Sequence, residues 1–111
     1  MQVTTFAILT AALAGNALAI GDCVPGRFYC GFTFLDSQTN IARWRPILEG
    51  ALDAAHPPVS HSLISDVLYI CQTPTSVIVD EACPLFDNKR CQPKESTLCG
   101  GPNGVNACCA K

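Results

Sequence analysis

The sequence predicts a small, disulfide-rich α+β domain in which an antiparallel sheet of about three or four strands is covered by one amphipathic helix. Three observations carry this expectation. Eight cysteines fall within a short chain, apolar residues recur at period two in short runs, and one longer run repeats at helical spacing.

The order of elements begins with an export signal. Residues 1–19 carry no charged side chain, and Phe6 to Leu13 are apolar except for Thr10. Ala17-Leu18-Ala19 then places small residues at the two positions a signal peptidase reads, so cleavage is expected before Ile20. The apolar run is broken by Gly15 and Asn16 and is too short for a hydrocarbon core that needs about 20 residues, so no membrane insertion is expected. The mature chain, residues 20–111, reads as a single secreted, extracellular domain.

The strongest strand signal is Arg27 to Leu35, where Phe28, Cys30, Phe32 and Phe34 alternate. Pro25-Gly26 turns the chain into it, and the polar stretch Asp36 to Asn40 reads as the loop that leaves it. Ile41, Trp44, Ile47, Leu48, Ala51, Leu52 and Ala55 then recur at helical spacing, with Arg43, Arg45, Glu49 and Asp53 on the other side. Pro46 is tolerated only near a helix start, which puts the regular part from about Arg43–Arg45 to just before His56-Pro57-Pro58.

Val67 to Cys71 and Val77 to Val79 read as two strands of a hairpin joined through Gln72 to Ser76. Their nearly continuous apolar character predicts inner strands. From Pro84 onward the apolar residues thin to Leu85, Phe86, Leu98 and Val105, while four of the eight cysteines lie here. Such a tail cannot build a core and must be held by bridges.

Cys23, Cys30, Cys71, Cys83, Cys91, Cys99, Cys108 and Cys109 are about 9% of residues 20–111, the density of a disulfide scaffold. The gaps between successive cysteines, 6, 40, 11, 7, 7, 8 and 0 residues, contain no paired Cys-x-x-Cys of a zinc site. An exported chain meets oxidising surroundings, so four disulfides are expected and no metal or other cofactor. Eight cysteines allow about a hundred pairings, and order alone does not choose among them. A Cys108–Cys109 bridge would strain ordinary disulfide geometry, so each of these neighbours is expected to pair elsewhere.

Net charge is −2 with mixed signs, which points neither to nucleic acid nor to an anionic membrane surface. Lys89, Arg90 and Lys94 are the one basic cluster and read as a solvated loop. His56 and His61 flank the Pro57-Pro58 loop near Ser60, Ser62 and Asp66, a grouping that sequence proximity alone does not make into a nucleophilic triad. Asp80 and Glu81 are adjacent carboxylates that could suggest glycoside hydrolysis by an acid and a base, but consecutive strand positions point to opposite faces and a solvated strand end is the better reading. With an even cysteine count and no phosphate loop, metalloprotease helix or calcium loop, no catalytic residue is assigned and a non-enzymatic role is expected.

The opening Cys23-Val24-Pro25-Gly26-Arg27-Phe28-Tyr29-Cys30-Gly31 resembles the start of a group of small secreted cysteine-rich proteins of ascomycete fungi. Strand ends Leu68-Tyr69-Ile70-Cys71 and Val77 to Cys83, and the tail Cys99-Gly100-Gly101 to Cys108, are similar to the same pattern. Such proteins are treated as candidate effectors, and some are similar in fold to the α/β-sandwich subunits of a smut-fungus killer toxin. The vicinal Cys108-Cys109 end departs from the pattern, as the single Cys-Cys pair does from hydrophobins, which carry two. The resemblance implies a host-directed effector, and its fold analogy a killer or antimicrobial toxin as an alternative. With no catalytic constellation, non-catalytic binding of an extracellular or host protein is expected, and the bridged scaffold leaves a protease-inhibitor-like role as a further alternative. For the inhibitor, Lys89-Arg90 between Cys83 and Cys91 is the candidate exposed loop.

Overall fold

The computed structural model describes residues 21–111; the expected signal peptide, residues 1–19, and its cleavage before Ile20 lie outside the described residues. Strand β1 (Phe28–Cys30) runs directly into a short helix α1 (Gly31–Phe34), followed by the long helix α2 (Gln38–Ala54). A 3-10 turn at His61–Asp66 leads into the hairpin β2 (Val67–Thr73) and β3 (Ser76–Ala82). Two short strands, β4 (Arg90–Gln92) and β5 (Cys108–Ala110), close the tail. The architecture is α+β, with one antiparallel sheet in the order β1-β2-β3 and a second of β4 with β5.

Both faces of the first sheet are used. Val67, Tyr69 and Cys71 of β2 point into a core with Trp44, Leu48 and Leu52 of α2, while the intervening Leu68 packs with Cys30, Cys83, Cys91 and Ala107 on the other side. The period-two alternation of β2 therefore separates a helix-covered face from a cystine-covered face, which is why this strand is apolar almost throughout. The described helices include none long and apolar enough to cross a membrane.

Three expectations are corrected. The strand proposed for Arg27 to Leu35 stops at Cys30, and residues 31–34 turn into a helix that buries Phe34 and leaves Phe32 exposed. The reason is Gly31, where a Cβ would overlap the carbonyl oxygen of Ile64, so only glycine lets the chain pass here. That oxygen is fixed in place because it accepts the Tyr69 hydroxyl at 3.0 Å. Burial holds the Tyr69 phenol far above its ordinary range, so it remains a protonated donor. Gly31→Ala is accordingly expected to cost about 1–3 kcal/mol through overpacking. An unchanged urea midpoint would show that the Ile64 turn yields freely.

The long helix begins five residues before Arg43, not at it. Ser37 caps it, its hydroxyl accepting the Asn40 amide at 3.2 Å, and the buried Asn40 side chain donates to Asp36 at 2.9 Å. The polar stretch that resembles a loop is thus a cap and a first turn. Pro46 sits well inside α2, on its exposed face beside exposed Ala42, whose orphaned carbonyl can reach water. The helix ends before His56-Pro57-Pro58, and its stripe buries Trp44, Leu48 and Leu52 completely.

Third, of the two hairpin strands only β2 is inner. β3 lies at the sheet edge and alternates, with Val77 buried and Ile78 45% exposed.

All eight cysteines are paired, as Cys23–Cys71, Cys30–Cys91, Cys83–Cys109 and Cys99–Cys108. Cys108 and Cys109 sit on neighbouring positions of β5, so their side chains leave in opposite directions toward different partners. Such a frame fits an oxidising environment.

Candidate functional site

The surface between the end of α2 and β3 brings exposed apolar side chains, Ile78, Leu85 and Phe86, together with two carboxylates, Asp80 and Glu81. A shallow groove of about 420 Å³ runs between Gly50, Ala51 and Ala54 on the helix and Val77, Ile78 and Val79 on the strand. Small side chains on the helix create it, because nothing there reaches out over the strand. Past Ala55 and His56 it continues into a cleft of about 270 Å³ beneath Pro57 and Pro58, bordered by Asp80, Glu81, Leu85 and Phe86. The His56–Pro57 peptide is cis.

Leu85 and Phe86 are 65% and 52% exposed, although both are large and apolar. They follow Cys83-Pro84 in a short 3-10 turn that the Cys83–Cys109 bridge ties to β5. Next, Asp87 and Asn88 both take left-handed backbone conformations, φ 64° and 56°, and Lys89 donates its amide back to Phe86 at 3.3 Å. This tight reversal keeps Phe86 at the rim of the cleft.

The adjacent carboxylates behave differently from expectation. Glu81 lies opposite Leu68 and Val79 opposite Tyr69, which leaves Asp80 as the extra residue of a β-bulge. A bulge suspends strict alternation, so Asp80 and Glu81 both border the same cleft instead of lying on opposite faces. The sequence carries no periodic signal of this, because the bulge depends on how β2 pairs.

The groups near the proline loop are drawn into separate contacts. His61 Nε2 lies 2.8 Å from Asp53 and its Nδ1 3.8 Å from Glu49, both on the last turns of α2. Ser60 and Ser62 hydroxyls contact each other at 2.9 Å. Asp66 accepts from Arg90 Nε at 3.2 Å and from the Cys91 amide at 3.4 Å. Ser60, His61 and Asp66 are thus engaged with different partners and form no common relay.

The basic cluster is likewise dispersed. Arg90 is on β4 facing Asp66, Lys89 is half-buried beside the turn, and Lys94 pairs with Glu95 at 3.1 Å. The hydrogen bond from Lys94 holds the exposed Glu95 carboxyl below the usual carboxylate range. Among the described residues no group of His, Cys, Asp and Glu has the arrangement of a metal site.

Chemically, the groove offers apolar contact, a strand edge and negative charge at one end. These suit recognition of an extended chain better than enclosure of a small molecule. Compared with known protein families, curated proteins and solved structures, the chain matches none of them.

Proposed function

We propose that the protein is exported and acts outside the producing cell as a fungal effector-like ligand that binds a host protein through its folded surface, without catalysis. The observation that carries this reading is the groove along β3, where Ile78, Leu85 and Phe86 stay exposed on a frame cross-linked by four disulfides. Exposed large apolar groups clustered on a small domain cost solubility and are kept where a partner covers them. The bridges hold that surface in one shape in protease-laden surroundings. The Cys23 to Gly31 opening and its resemblance to ascomycete secreted proteins support the same reading.

The test compares wild type, a His61→Ala variant and a reduced, alkylated form in a plant-response assay and a fungal growth-inhibition assay. His61 lies outside the lining of the groove, so shape-based binding predicts that His61→Ala keeps full activity and the alkylated form loses it. Loss in a folded His61→Ala variant would point to chemistry at that imidazole instead. Growth inhibition of fungi without a plant response would replace the effector reading by a killer-toxin one.

A further inference from the structure

The two edges of the three-stranded sheet are treated differently. On the β1 side, Phe28 donates its amide to Asn106 Oδ1 at 3.0 Å and accepts from the Ala107 amide at 3.1 Å, so the tail seals that edge. On the β3 side, among the described residues no backbone hydrogen bond outside the β2–β3 ladder reaches residues 77–82. A strand edge presents unpaired N–H and C=O groups that another extended chain can satisfy. Here that edge also borders the apolar groove.

We propose that β3 binds an extended segment of a partner protein by strand addition, a segment with alternating small or β-branched apolar side chains and a Lys or Arg at the Asp80–Glu81 end. This deepens, and rests on, the binding reading given above. The backbone of the segment would pair with β3, and alternate side chains would settle against Gly50, Ala51 and Ala54. In the antiparallel orientation, the slightly more stable one, the cationic residue precedes the apolar run.

Charge complementarity selects the occupant. Asp80 and Glu81 take part in none of the ion pairs among the described residues, where Arg43, Arg45, Arg90, Lys94 and Lys111 have other carboxylate partners. A second copy of this chain would bring no cation to them through the same strand, because Ser76–Ala82 contains neither Lys nor Arg. A foreign basic-apolar segment supplies both the hydrogen bonds and the charge. The bulge at Asp80 ends the regular edge, which fixes where the cation must sit.

The probe is a library of random peptides displayed on phage, selected against the intact, oxidised protein. Selected peptides are expected to share an alternating apolar run preceded by Lys or Arg. Their binding should weaken about tenfold or more in Asp80→Lys/Glu81→Lys, through loss of attraction and added repulsion. Gly50→Gln, whose side chain enters open space beside the strand, should weaken binding while circular dichroism stays unchanged. Amide NMR signals of Val77 to Glu81 should shift on titration with a selected peptide. Acidic consensus sequences, shifts elsewhere, or equal binding by both variants overturn the proposal. So does dimerisation in sedimentation runs that Gly50→Gln abolishes, which would make a second copy the occupant. In the plant-response assay, silence of wild type sinks the host-binding reading, whereas an active wild type with an equally active Asp80→Lys/Glu81→Lys variant sinks this surface alone.

Discussion

Full reduction is expected to release the tail and unfold the domain. The bridges close segments of 48, 61, 26 and 9 residues, from Cys23–Cys71 to Cys99–Cys108. By loop-closure entropy, the two long ones contribute about 4 kcal/mol each and the shortest about 2.5 kcal/mol. Contributions of this size need not add, but even two of them approach the roughly 5–15 kcal/mol net stability of an ordinary domain. The cystine-side cluster sharpens the expectation, since Cys30, Cys83 and Cys91 are three of its five buried members and the others are Leu68 and Ala107. Cystines therefore make up more than half of the buried residues on that side, with Phe28 and Cys109 packed around them. Circular dichroism, proteolysis and intact mass before and after alkylation check this: the oxidised form should show no free thiol, and the alkylated form should lose its cooperative melt. A melting curve and protease resistance that survive complete reduction would mean that the helix-side core alone holds the fold.

Trp44→Ala is expected to destabilise by about 3–5 kcal/mol, the cost of removing a large buried aromatic. Trp44 is fully buried, its ring centroid lies 4.3 Å from that of Phe34, and its indole N–H donates to the Gly21 carbonyl at 3.1 Å. It therefore joins α2 to both α1 and the start of the described chain, ahead of Cys23. No disulfide lies within residues 31–70, so the helix is docked without a covalent tie and depends on this packing. For a domain of this size the loss should lower Tm by at least about 12 °C. Trp44 is the only tryptophan, so emission should be blue-shifted in the native protein and shift red on unfolding. A red-shifted native spectrum, or an alanine variant that melts like wild type, would place the residue at the surface instead.

Elements whose signal is local were legible in the sequence. The stripe Trp44, Leu48, Leu52 repeats within one helix, and Val67 to Cys71 and Val77 to Val79 sit within reach of one turn, so periodicity alone identifies them. Cysteine density likewise marked a cross-linked tail. The start of α2 was written there too, in Ser37 and Asn40, but a polar cap and a polar loop have the same composition and differ only in whether a hydroxyl meets an amide.

Tertiary structure decided the rest, because each remaining feature depends on residues far apart in the chain. Gly31 ends β1 only because Ile64 and Tyr69 arrive against it. The four pairings follow from which Cβ atoms the sheet and tail bring together, which cysteine order leaves open. The candidate site is of the same kind. Val77 to Val79 are as apolar as an inner strand, but β3 has β2 on one side and no strand on the other, and the bulge that turns both Asp80 and Glu81 toward the cleft comes from its register with Leu68 and Tyr69. A side chain's chemistry is set by its own residue, whereas its neighbours, and hence the open edge and its charge, are set by the packing of the whole domain.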